Sequence, residues 1–212
     1  MVRVKICGIT RPTDIEMARD ADYLGFVVAS NSTRNLEPEA AIDLMSTCRQ
    51  KKVMVTTLND PVQLVKLANR IDPDVVQVHS LMGPEDLGFV TKRFSGNVWG
   101  LAPVGRGDEL ERASRIRESV QAILLDTKLD IGSEVRGGTG ISHDWEVSRK
   151  IRDRLLPYPV ILAGGLSTDN IKKAIRTVRP FAVDVSSGVE EGGKKDPMLV
   201  RRFIRYSKEV RD

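Results

Sequence analysis

Along the whole chain, short β-branched or apolar runs alternate with longer amphipathic stretches, and the alternation is never broken. The strand candidates are residues 2–6, 23–28, 53–58, 75–79, 98–101, 122–126, 160–163 and 182–185. Helical periodicity fills the gaps at 13–19, 38–49, 62–71, 84–93, 109–117, 144–154, 168–178 and 197–208. Cap-type residues precede the apolar period near Asp14 and along Ser167-Thr168-Asp169-Asn170. Strict strand–helix alternation means parallel pairing, because parallel neighbours need a crossover long enough to hold a helix. Eight units also suffice to close the sheet on itself. The expectation is therefore an α/β chain folded as a single (β/α)8 TIM barrel over residues 1–212. A doubly wound open sheet is the rival, but it needs two edges, and no run here resembles a blunted edge.

At 212 residues the chain is short for such a barrel, so its loops should be lean. The 33 basic and 29 acidic residues are too evenly matched to argue for a nucleic-acid partner, and aromatics, at 5%, are too scarce for stacking platforms. The small positive excess can instead steer an anionic small molecule. Cys7 and Cys48 form neither a disulfide framework nor a metal motif, so both are expected reduced, in a cytoplasmic protein. No signal-peptide pattern and no apolar run of membrane-spanning length is present, so no membrane association is expected. With two histidines and no clustered ligands, no metal is expected. The longest irregular segment, residues 127–143, is rich in Gly and reads as a lid over the barrel mouth.

In barrels the chemistry lies at the C-terminal strand ends. That rule selects Cys7 after strand one, Arg34 beyond strand two, His79 at the end of strand four and Asp126 at the end of strand six. It also selects Gly164-Gly165 after strand seven, and Asp184 with Ser186-Ser187-Gly188 on and after strand eight. Period-two alternation turns Arg3, Lys5 and Cys7 inward and Val2, Val4 and Ile6 toward the helices. Strands one and eight are neighbours in a closed barrel, so Lys5 is expected to pair with Asp184, since a buried ammonium is costly alone. Its charge is also expected to favour the Cys7 thiolate. Asp126 follows the apolar run 122–125, at the edge of low dielectric, where the raised pKa of a general acid is expected. The two glycine-bearing loops fit a phosphate cradle, Arg34 a fork for a second anion, and His79 a hydrogen-bonded residue of the mouth.

These residues and their flanking motifs resemble the phosphoribosylanthranilate isomerase family of tryptophan biosynthesis. The resemblance runs through Val4-Lys5-Ile6-Cys7-Gly8-Ile9-Thr10, Gly25-Phe26-Val27 leading to Ser32 and Arg34, and Val76-Gln77-Val78-His79. It continues in Leu124-Leu125-Asp126-Thr127, Gly137-Gly138-Thr139-Gly140 before Asp144-Trp145, Leu162-Ala163-Gly164-Gly165-Leu166, and Arg179 through Glu190.

The resemblance implies an Amadori rearrangement of N-(5-phosphoribosyl)anthranilate to 1-(2-carboxyphenylamino)-1-deoxyribulose 5-phosphate. It casts Asp126 as the general acid, Cys7 as the general base and Arg34 as the holder of the anthranilate carboxylate. Asp184 lies near the substrate hydroxyls, Gly165 and Ser186–Gly188 cradle the phosphate, and no cofactor is implied. The rivals are the related histidine-pathway aldose–ketose isomerase, with an aspartate in place of Cys7, and a non-catalytic barrel that binds a phosphometabolite. Oligomeric state is left open between monomer and homodimer.

Overall fold

The computed structural model of the protein describes residues 1–127 and 144–210. The barrel strands are β1 (Arg3–Cys7), β2 (Tyr23–Val28), β3 (Lys51–Thr56), β4 (Val75–Val78), β5 (Asn97–Val104), β6 (Ala122–Thr127), β7 (Val160–Leu162) and β8 (Ala182–Val185). Between and after them run α1 (Pro12–Met17), α2 (Pro38–Ser46), α3 (Pro61–Ile71), α4 (Pro84–Thr91), α5 (Glu109–Ile116), α6 (Trp145–Leu155), α7 (Ile171–Val178) and α8 (Pro197–Glu209). Every barrel pairing is parallel, and β1 pairs with both β2 and β8, which closes the sheet. The expected (β/α)8 barrel is therefore the fold. Asn35–Leu36 adds a short parallel strand beside β2, and Glu190–Glu191 forms a small hairpin with Lys194–Lys195.

Alternation along each strand produces two cores. Val4 and Ile6 join Leu24, Phe26, Met54 and Val76 in the layer between barrel and helices. Cys7, Val53, Val55, Trp99, Leu101, Leu124 and Ile161 fill the barrel itself. Trp99 is thus interior, stacked edge-on against Tyr23, while Trp145 packs on the outer layer. Five helices open on proline, whose fixed φ and missing N–H suit a first turn. Asp60 and Asp196 cap two of them, each accepting two backbone N–H groups.

Several boundaries differ from the sequence reading. β3 starts two residues before Val53, because its lysines lie at the wet rim: Lys51 Nζ and the Lys52 N–H both donate to Asp74. β5 extends through Pro103 to Val104 because it pairs with the full length of β6. α7 begins at Ile171 rather than 168, since Asn170 turns its side chain backward instead of capping forward. Its Oδ1 accepts the Ser167 N–H and its Nδ2 donates to Gly165 O. The segment read as a lid lies, beyond Thr127, outside the described residues. Among the described residues no helix is long and apolar enough to cross a membrane.

Candidate active site

Closure sets Lys5 beside Asp184 in register, and Lys5 Nζ donates to Asp184 Oδ2 at 2.8 Å. A second Nζ proton goes to Gln77 Oε1 at 2.9 Å, across the barrel interior. The ammonium is fully enclosed. Burial disfavours its charge, but the fields of Asp184 and Cys7 outweigh that, and its pKa rises. The expected pair is present, and Gln77 is a partner the sequence reading did not assign.

Cys7 ends β1 at the top of the barrel. Burial pushes its thiol up, and the nearby positive charges of Lys5 and Lys195 offset this only partly. Lys5 does favour the thiolate, as expected, but burial is the larger effect, and Asp184 adds a negative field that also raises the thiol. Gly25, in register with Cys7, makes the arrangement possible. A Cβ there would lie 2.8 Å from Cys7 Sγ and 3.0 Å from Lys5 Cε. A glycine inside an apolar strand was the available signal of this close approach.

From Gln77 the polar row continues outward. Gln77 Nε2 lies 3.2 Å from His79 Nδ1, and His79 Nε2 lies 3.9 Å from Asp126 Oδ2. Burial, then the Lys5 charge, push the imidazole down to about 4, so it is neutral at physiological pH. Base-side and acid-side candidates therefore share one mouth, joined through Lys5, Gln77 and His79.

Arg34 is not a free fork. Its Nε donates to Glu190 Oε1 at 2.8 Å and its Nη2 to Oε2. Glu190 also accepts from Lys195 at 2.6 Å. Burial opposes the Glu190 charge, yet the two cations hold its carboxyl below the usual range. This network was missed because Lys195 lies on a hairpin with no chemical signature of its own. The loop carrying Arg34 turns at Ala29, whose φ is +53°, and is pinned by the Ser30 N–H donating to Asn35 Oδ1. The Arg34 stem crosses Gly8, where an added Cβ would sit 2.4 Å from Arg34 Cδ. Ser186 Oγ donates to Cys7 O at 3.1 Å, tying the β8 loop to β1.

Gly164 and Gly165 both take positive φ, +83° and +64°. The turn at Ser187–Val189 packs directly on this loop, because a Cβ on Gly188 would lie 1.8 Å from Leu166 O. The two candidate cradle loops thus meet backbone to backbone. Asp184 Oδ1 is buried and has no hydrogen-bond partner among the described residues. Among the described residues no group of His, Cys, Asp or Glu could hold a metal ion.

The fold and its polar mouth define the class: a (β/α)8-barrel enzyme with its ionisable groups gathered at the C-terminal ends of the strands. The sequence model described as N-(5'phosphoribosyl)anthranilate (PRA) isomerase matches residues 4–206. The N-(5'-phosphoribosyl)anthranilate isomerase of Thermoanaerobacter sp. (strain X514) is 38% identical, covering 100% of both chains. The phosphoribosyl anthranilate isomerase structure from Thermotoga maritima superposes with a TM-score of 0.86 at 36% identity, over 99% of this chain and 100% of that one. A phosphoribosyl anthranilate isomerase in complex with reduced 1-(o-carboxyphenylamino)-1-deoxyribulose 5-phosphate superposes with a TM-score of 0.84 at 34% identity, with the same coverage. The chain belongs to the N-(5'-phosphoribosyl)anthranilate isomerase family.

Proposed function

We propose that the protein converts N-(5-phosphoribosyl)anthranilate to 1-(2-carboxyphenylamino)-1-deoxyribulose 5-phosphate in tryptophan biosynthesis, with Asp126 as general acid and Cys7 as general base. The observation that carries this reading is the single mouth holding a carboxyl on β6 and a thiol on β1, linked through Lys5, Gln77 and His79. In the first step Asp126 gives its proton to the furanose oxygen, and the ring opens to a protonated Schiff base. The Cys7 thiolate then takes the C2 proton, and the electron pair moves through C1 to the nitrogen. The resulting enolamine tautomerises to the ketone. Each positioned proton-transfer group contributes roughly 10²–10⁴-fold in rate.

Binding uses the ends of the substrate, away from the reacting carbons. The glycine loops take the phosphate, and Asp184 lies near the sugar hydroxyls. Arg34 has five N–H donors, of which Glu190 engages two. The remaining edge is open to the anthranilate carboxylate, and Glu190 keeps the guanidinium oriented. His79 stands beside Asp126 as a neutral hydrogen-bonding group. The chain works as a monomer or homodimer in the cytoplasm.

The test is the fluorescence decay of freshly made phosphoribosylanthranilate with wild type, Cys7→Ser and Asp126→Asn. Rapid decay with wild type and collapse in both variants is expected. No acceleration by folded wild type overturns the reading and moves the histidine-pathway substrate forward.

A further inference from the structure

Gln77 is buried inside the barrel and touches two groups of opposite demands. Lys5 Nζ, 2.9 Å from Gln77 Oε1, has only protons to offer, so the amide must turn its oxygen that way. The amide NH2 is thereby aimed at His79 Nδ1, 3.2 Å away, and an NH2 requires an acceptor. In a neutral imidazole one nitrogen is bare and the other carries the proton. Nδ1 is therefore bare, and the proton sits on Nε2, the nitrogen 3.9 Å from Asp126 Oδ2.

We propose that Gln77 is a positioning residue that locks His79 as the Nε2–H tautomer, so that the imidazole presents a donor and never an acceptor to Asp126. The catalytic consequence rests on Asp126 being the general acid. Once Asp126 has protonated the ring oxygen, the Nε2–H donor steadies the carboxylate left behind. The opposite tautomer would place a lone pair there, and Asp126 would lend its proton to His79 instead of the substrate. The 3.9 Å separation exceeds a hydrogen bond in the free protein, and catalytic contacts commonly tighten when substrate is bound. Lys5, with its charge set by Asp184, thus directs a proton position two side chains away.

The experiment is ¹⁵N NMR of histidine-labelled protein at pH 7, with the His79 signals assigned by their loss in His79→Asn. Wild type is expected to show protonated Nε2 and bare Nδ1. A proton on Nδ1, or an average of both tautomers, overturns the proposal, and this needs no variant at position 77. Gln77→Glu keeps the shape but faces Nδ1 with a carboxylate that Lys5 keeps ionised. In that variant the proton is expected to move to Nδ1, and kcat to fall by roughly 10²-fold, within the range of one positioned proton-transfer group. KM should change by less than about threefold, since an interaction of the transition state is lost. A folded Gln77→Glu protein with Nε2 still protonated refutes the role of Gln77. The NMR readout does not depend on turnover. Full activity in Asp126→Asn, with His79 still in the Nε2–H form, would discard the acid assignment and leave the tautomer lock standing.

Discussion

Replacing Lys5 with methionine probes the hidden charge of the barrel most directly, because methionine keeps the apolar stem and removes only the cation. Asp184 Oδ2 loses its 2.8 Å donor and Gln77 Oε1 its 2.9 Å donor, both inside the protein. Breaking a buried pair from one side costs roughly 3–5 kcal/mol, much of it the uncompensated partner. In a domain of this size each kcal/mol moves Tm by roughly 2–4 °C, so a fall of about 6–20 °C is expected at pH 7. Adding Asp184→Asn removes the stranded charge and should restore a large part of that loss. The thiol gives an independent readout. Lys5 lowers the Cys7 pKa against the effect of burial, so alkylation of Cys7 in Lys5→Met should shift to higher pH. Thermal melts of the single and double variants, with iodoacetamide rates against pH, complete the assay. A single variant melting within 2 °C of wild type (about the shift of 1 kcal/mol), or a double variant no more stable than the single, would refute the argument.

Three further outcomes follow from the site. Unfolded His79 takes a proton near 6.5 but the folded ring only near 4, so stability should fall as pH drops through that window. The loss is at most about 3 kcal/mol, trimmed because a quarter of the ring meets solvent; His79→Asn should flatten the slope in urea titrations, and parallel slopes would contradict it. Gly25→Ala forces a Cβ to 2.8 Å from Cys7 Sγ and should destabilise by about 1–3 kcal/mol while slowing turnover; an unchanged melt and rate would discard the crowding argument. Because burial raises the Cys7 thiol, kcat/KM should climb with pH through and beyond the ordinary thiol range; a flat alkaline limb would count against Cys7 as the base.

Much of this architecture was legible in the chain. The eightfold alternation pointed to parallel pairing and closure, and closure made β1 and β8 neighbours. Period two then turned Lys5 inward, and a lysine in an apolar barrel needs a carboxylate, which identified Asp184 before any coordinates. Gln77 was not assigned from the sequence, because its role required knowing that Lys5 reaches it across the barrel.

Amino-acid order by itself determined the elements, their parallel sense and which residues stand at the strand ends, because these follow from periodicity and local turn chemistry. Only the tertiary structure decided that Arg34 is held by Glu190, that Lys195 completes that network, and that Gly25 makes room for Cys7 and Lys5. These contacts depend on register and on loop paths between residues far apart in the chain. The direction of the Cys7 shift was decided there too. It is the difference between the loss of solvation and the summed field of Lys5, Asp184 and Lys195, and both depend on distances that no spacing in the sequence encodes.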